Sequence, residues 1–493
     1  MAERGDQLSA GHRAGARAAK NTGVRAAGEI VGKLSTFALF AVLARAVGES
    51  GLGAFVFALA LLGIVMMPIG LGSDPYLLRE VAKDRAAVGR LFFDVLGLKL
   101  ALVVPVLALT FAALALLDYD PRTRDTVYLL SIGLFLDLLS KTFHGVFNGS
   151  ERGDLLTATL IAQRVFTAGV GIAALAAGYG VVTVAGVYSV GSAIGLVLCA
   201  TLMARSIGLP PRTLSPGRWR GLAQHTLPYG VQDVFGVLLF RLDAVILSLL
   251  ATEAAVGRYG AAYRLLESTL FVSWALNGAF AAMYAKLGRD TVPSIRSVFQ
   301  RSVKLALVVL VPAAVVMAVL AEPIMRLLFG AEFGDAAGPL RLLAPIVVML
   351  CIVTLSSSLI ISRAGPRAIV RISAAMVALN VVLNLVLIPR FDASGAAAAM
   401  LVTELAFAGF AMRVATREVG GIDWRSMLAA TVAAGGAMLP VMLLLQGVPV
   451  LSAAAGIAVY ATVFLLLERS ISPGDLDFAR TLVRRRLRPR ATA

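Results

Sequence analysis

The sequence predicts an all-α protein that crosses a lipid bilayer many times, and three observations carry that reading. Of 493 residues 59% are hydrophobic and only 15% charged, a balance that no ordinary water-soluble domain keeps. The mean hydropathy is +0.85. Apolar runs long enough to cross the roughly 30 Å hydrocarbon core as a helix recur from end to end. Reading them between clusters of turn and charged residues gives about fourteen spans. They lie at residues 24–46, 51–72, 90–117, 127–149, 155–178, 183–205, 226–250, 256–284, 298–321, 338–362, 367–388, 394–416, 426–446 and 449–468.

The net charge of +16 is a topology signal, not a sign of nucleic-acid binding, because the charges sit in the connections. With the amino terminus inside, the tails at 1–22 and 469–493 and the even-numbered connections hold most of the 45 Lys and Arg. The other side holds only Arg45, Arg122, Arg124, Arg258, Arg326, Arg341 and Arg390. That asymmetry obeys the positive-inside rule and predicts both termini to be cytoplasmic. The basic tail from Arg484 to Arg490 then lies at an anionic leaflet. Residues 1–22 lack a short apolar core with a cleavage site, so no cleaved signal peptide is expected. Two cysteines, Cys199 and Cys351, both within apolar runs, exclude a disulfide framework and a Cys-based zinc site.

All connections are short, so function must reside within the helices. The segment Arg205 to His225, rich in Pro and Gly, divides an N-terminal bundle (23–205) from a second bundle (226–416) across a connection at 206–225. An internal repeat supports the division. LGAFVFALALL (Leu52 to Leu62) aligns with VGRYGAAYRLL (Val256 to Leu266), matching Gly53 with Gly257 and Phe55 with Tyr259. Spans 13 and 14 (426–468) carry no ionisable residue between Met427 and Leu467 and read as lipid-facing additions. Gly28 with Gly32, Gly145 with Gly149 and Gly191 with Gly195 have the spacing that lets membrane helices approach closely.

Span 127–149 is unlike a lipid-exposed helix. Asp137, Lys141, His144 and Asn148 fall at i, i+4, i+7 and i+11, one stripe on an otherwise apolar surface. A charge at mid-membrane costs about 2.5–3.5 kcal/mol on insertion scales, so such groups face a partner helix or a wet cavity. Neutralisation of Asp137 by Lys141 as an i, i+4 pair is the bland alternative. Other spans repeat the pattern: Arg25, Glu29 and Lys33 in the first, Arg241 and Asp243 in the seventh, Arg264 and Glu267 with Phe271 and Trp274 in the eighth, and Glu404 in the twelfth. Together they predict a polar cavity between two halves. Cations and acids nearly balance there, so charge alone does not select an anionic substrate. Asp118, Tyr119 and Asp120 spell the Asp-x-Asp of metal-dependent glycosyltransferases, but in a short loop on the predicted outer face, where nucleotide sugars are absent. With no P-loop, no HExxH and no nucleophile beside a base, the sequence does not read as an enzyme and implies no metal or cofactor.

Four stretches carry a family resemblance: Leu43 to Leu62, Gly70 to Asp84 (GLGSDPYLLREVAKD), Leu227 to Glu267 and Asn380 to Glu404. The chain resembles the polysaccharide transporters, or O-antigen-type flippases, of the multidrug/oligosaccharidyl-lipid/polysaccharide exporter superfamily. The resemblance implies two six-helix lobes related by a pseudo-two-fold along the membrane normal, two extra C-terminal helices, and a cavity opening alternately to either side. It implies an undecaprenyl-diphosphate-linked oligosaccharide as substrate, a bacterial inner membrane, and other polysaccharide biosynthesis proteins as neighbours. By this analogy Lys33, Arg241 and Arg264 hold the diphosphate, with Lys141 and His144 next to them. Asp137, Asp243, Glu267, Glu29 and Glu404 orient those cations or couple H+ or Na+. A cation-coupled multidrug antiporter of the same superfamily is the nearest rival, and a lipid-linked peptidoglycan-precursor flippase a close sibling.

Overall fold

The computed structural model describes residues 2–117, 119–211, 214–287, 292–365 and 367–471, without the side chains of 2–27, 29, 30, 228, 229, 232, 233, 285, 292 and 293. Within those residues there are fifteen α-helices and no strand. They are α1 (Ala2–Gly70), α2 (Ser73–Lys83), α3 (Ala87–Leu116), α4 (Pro121–Gly149), α5 (Gly153–Ala176), α6 (Val181–Ser206), α7 (Trp219–Leu250) and α8 (Glu253–Leu287). After these come α9 (Val292–Val319), α10 (Ala321–Phe329), α11 (Ala337–Leu343), α12 (Ile346–Ala364), α13 (Arg367–Glu418), α14 (Trp424–Leu444) and α15 (Pro449–Ile471). Eleven helical segments among the described residues are long and apolar enough to cross a membrane.

The two longest helices each hold two of the predicted spans, joined at one non-helical residue. In α1 this is Gly48, at φ 69° and ψ −174°, which glycine reaches without a Cβ clash. In α13 it is Asp392, at φ 47° and ψ −129°, three residues after Pro389. The seventh predicted span coincides with α7, which is not among the eleven. The stretch 73–90, read from sequence as a connection, contains the amphipathic helix α2, which buries Leu77 and Val81. The connection at 322–341 likewise contains α10 and the start of α11.

The chain divides into two compact units, residues 1–260 and 261–493. In lipid there is little hydrophobic drive between helices, so small residues that allow close packing set the contacts. In the first unit a Cβ on Gly28 would meet Thr157 and Ile161, and one on Gly32 would lie 2.8 Å from Arg164 Cδ, which presses α1 onto α5. Gly145 and Gly149 face Asp74, Leu77 and Val81, setting α2 on α4. Gly191 and Gly195 face Thr167 and Gln163, setting α6 on α5. The segment before α7 is fastened to α3: the Ser215 backbone N–H donates to Asp94 (2.7 Å) and Arg218 pairs with the same carboxylate (2.8 Å).

In the second unit α14 and α15 form a hairpin against α9, with Leu320, Met438, Met442 and Tyr460 at its centre. The Tyr460 hydroxyl donates to the Val308 carbonyl (3.1 Å) and Lys304 pairs with Glu468 in the interior.

Candidate functional site

The polar stripe on α4 points between α5 and α6. Asp137 accepts two hydrogen bonds, from Gln163 Nε2 (2.6 Å) and from the Tyr188 hydroxyl (2.7 Å), and Gln163 also reaches Ser192 (3.1 Å). Two turns further on, His144 Nε2 lies 3.1 Å from Thr159 Oγ1 and 3.5 Å from Cys199 Sγ. Five side-chain contacts thus tie α4, α5 and α6 together, as polar groups taken out of water require. The Cys199–His144 contact lies inside this packing, with Cys199 buried, and offers no accessible nucleophile.

Lys141 behaves differently. It is exposed and makes no ion pair or hydrogen bond among the described residues, so its i, i+4 pair with Asp137 does not form. It remains within electrostatic reach of Asp137, His144 and Lys99. Lys99, 1% exposed, is itself fully engaged: Nζ donates to Asp74 (2.6 Å), the Leu138 carbonyl (2.9 Å) and Thr142 Oγ1 (2.8 Å). A buried ammonium needs such a shell, and here it locks α2 and α3 to α4.

On α1, Lys33 is half-buried and follows Gly32, the residue that packs on Arg164. The Glu29 side chain lies outside the described residues. A second polar group gathers where α1 meets α7 and the start of α8. Arg241 packs its Cγ 3.7 Å from the position a Gly63 Cβ would take, and Asp243, 1% exposed, accepts from the Tyr259 hydroxyl (2.9 Å). The repeat-matched glycines meet here. A Cβ on Gly53 would collide with the Glu253 carbonyl, and one on Gly257 with the Glu49 carbonyl, so each helix presses its glycine on the residue four before the other's. Arg258 pairs with Glu49 (2.8 Å), and Thr123 donates to Glu253 (2.5 Å).

In the second unit Arg264 pairs with Glu267 three residues on (2.7 Å), while Phe271 and Trp274 are half-exposed. Glu404 is 3% exposed on α13, and the Ser358 hydroxyl donates to Asn277 (2.6 Å). The Asp-x-Asp stretch has local roles: Asp120 caps α4 by accepting from the Arg122 N–H (3.1 Å), and Asp118 lies outside the described residues. Tyr119 stacks on Phe57 at 4.7 Å, and burial pushes its phenol above the usual range, opposed by the bond to Ser248. Among the described residues no three His, Cys, Asp or Glu side chains converge as metal ligands.

Of the residues singled out by sequence, the structure therefore brings Asp137, His144 and Lys141 into one neighbourhood and pairs Arg264 with Glu267. Arg241 and Asp243 stand in a different part of the first unit, and Glu404 in the second. Sequence reasoning missed Asp74, Tyr188 and Ser192. The i, i+4 spacing of Tyr188 and Ser192 on an apolar helix was the available signal; Asp74 gave none, because it sits in what reads as a connection.

Residues 18–281 match the family described as polysaccharide biosynthesis protein, and residues 228–386 match a second family, MatE. The probable low-salt glycan biosynthesis flippase Agl15 of Haloferax volcanii is 24% identical over 371 residues, 74% of this chain and 76% of that protein. A structure of the lipid II flippase MurJ in an inward closed conformation superposes with a TM-score of 0.75 at 12% identity, covering 90% of this chain and 99% of that one. An inward-facing multidrug resistance MATE family transporter of the MOP superfamily gives 0.67 at 14% identity, covering 80% and 98%. Identities this low establish a shared fold.

Proposed function

Because this chain belongs to the polysaccharide biosynthesis protein family, we propose that it flips a lipid-linked oligosaccharide, the glycan carried on undecaprenyl diphosphate, from the cytoplasmic to the outer leaflet of a bacterial inner membrane. It is a multi-span membrane transporter and not an enzyme. The observation that carries the reading is Lys141: within the family-matched stretch, an apolar helix presents an exposed ammonium with no ion pair or hydrogen bond among the described residues, beside half-buried Asp137 and His144. A cation held there needs a counter-charge from elsewhere, and a diphosphate supplies one.

In this proposal the two bundles at 23–205 and 226–416 act as lobes that alternate access, with α14 and α15 as additions and both termini cytoplasmic. Lys141, Lys33, Arg241 and Arg264 receive the diphosphate in turn, and His144 offers a hydrogen bond to sugar or phosphate. Asp137, Asp243, Glu267 and Glu404 hold the cations in place or take up a coupling H+ or Na+. The prenyl tail stays in lipid throughout. The relatives named as a glycan biosynthesis flippase and a lipid II flippase support a lipid-linked cargo. A cation-coupled drug antiporter is the second reading, favoured by the MatE match and the half-buried Asp137.

Flipping of a labelled prenyl-diphosphate oligosaccharide in proteoliposomes tests the proposal. Losing one charge-assisted phosphate contact, worth about 1.5–3 kcal/mol, should slow flipping about tenfold or more in Lys141→Ala, Arg241→Ala and Arg264→Ala. Wild-type rates in all three would remove those cations from the path. Flipping of lipid II alone would select the peptidoglycan sibling, and drug exchange without flipping would select the antiporter.

A further inference from the structure

An apolar groove of about 680 Å³ runs along α13 in the second unit, walled by α9, α12 and α14. Its bed is Leu405, Gly409 and Met412 of α13, with Met349 of α12 and Met427 of α14 opposite. At one end, where α13 turns into α14, the lining changes to Arg413, Arg417 and Trp424.

Three properties of that end define an occupant. Arg413 and Arg417 are one turn apart on the same face, both exposed, and neither makes an ion pair or side-chain hydrogen bond among the described residues. The nearby acids are already engaged: Glu418 lies 3.7 Å from Arg363, and Asp423 caps α14 by accepting from the Ser426 N–H (3.2 Å). Trp424, half-exposed, is the residue type that anchors at headgroup depth. The length of the groove agrees. From Leu405 to Arg417, α13 rises about 18 Å, close to half of the roughly 30 Å hydrocarbon core, the depth of one leaflet.

We propose that this groove seats one anionic phospholipid of the surrounding leaflet, its headgroup phosphate held by Arg413 and Arg417 and an acyl chain laid along Leu405, Gly409 and Met412. The site is separate from the proposed substrate cations and stands whether or not the chain flips lipid-linked sugars. Gly409 is central to it. A Cβ at Gly409 would meet nothing within 4 Å, so the missing side chain leaves the chain bed open, although glycine inside a helix is otherwise unfavourable.

The protein has three tryptophans, so W219F/W274F leaves Trp424 as the only reporter in the full-length chain. Its fluorescence is titrated with phosphatidylglycerol or phosphatidylcholine carrying the same brominated chains. Each arginine near an anionic headgroup contributes about fivefold, so half-quenching should need about 25-fold less phosphatidylglycerol than phosphatidylcholine. R413Q/R417Q should abolish that preference. Gly409→Leu, which fills the bed with a better helix former, should weaken quenching by both lipids. Equal quenching by the two lipids in the parent protein overturns the proposal, and this comparison decides even if a variant does not fold. A preference that survives R413Q/R417Q, or quenching untouched by Gly409→Leu, also overturns it. So does displacement of the brominated lipid by polyprenyl diphosphate at equimolar amounts, which would give the groove to the cargo's tail.

Discussion

The two units neutralise the ionisable residues singled out by sequence in different ways, although each also carries pairs of the other kind. In the first, the partners come from far along the chain: Asp137 with Gln163 and Tyr188, Lys99 with Asp74 and Thr142, Arg258 with Glu49. In the second, Arg264 pairs with Glu267 and Arg326 with Glu322 within one turn of their own helices, beside the more distant Lys304–Glu468 and Arg363–Glu418 pairs, and the first unit has local pairs of its own in Lys83–Glu80 and Arg152–Asp154. A local pair travels with its helix and says little about its neighbours. A long-range pair fails unless several helices hold one arrangement, so the first unit has its helix positions written in polar contacts.

The comparison breaks most completely at the glycine crossing. Gly53→Leu would drive a side chain into the Glu253 backbone, which cannot give way, and no monodisperse protein should survive detergent extraction. Gly278→Ala, where an added Cβ meets nothing within 4 Å, is the control and should extract normally.

Next comes the buried cation. Asp74→Ala strands Lys99 in the interior and should cost about 3–5 kcal/mol, read as a large fall in the apparent melting temperature. Adding Lys99→Met should recover most of that loss, because removing both charges also removes the desolvation cost. If the double variant melts no higher than Asp74→Ala, the pair is not what orders α2 and α3.

Smaller is the effect of Tyr188→Phe, which removes one of two donors from Asp137 and should cost about 1–3 kcal/mol. Gln163→Leu should behave alike, and the double variant should lose less than the sum if Asp137 can then take up a proton. The smallest change belongs to the local pairs. Arg264→Ala should alter stability by no more than about 1 kcal/mol while still slowing flipping. A stability loss as large as that of Asp74→Ala would erase the distinction between the units.

The membrane class, the placement of most helices and the close-packing glycines were legible because each is a local or periodic property: run length, i, i+4 spacing, a missing Cβ. The stripe of Asp137, Lys141 and His144 was legible for the same reason. Its consequences were not. Periodicity put Asp137 and Lys141 on one face, yet could not say that Gln163 and Tyr188 would take the carboxylate and leave the lysine exposed. The helix α2 was hidden because its amphipathic eleven residues are too short and polar for a span, and its register is fixed by Gly145 and Gly149 of another helix.

Composition and charge asymmetry by themselves made this chain a many-span helical membrane protein, because the bilayer sets a length and a polarity that any sequence must meet. Which cation is shielded and which is left exposed was decided only when α2, α3, α5 and α6 closed around α4. Hydrogen bonds act over about 3 Å, and no spacing in the sequence reports which distant donor arrives within that reach.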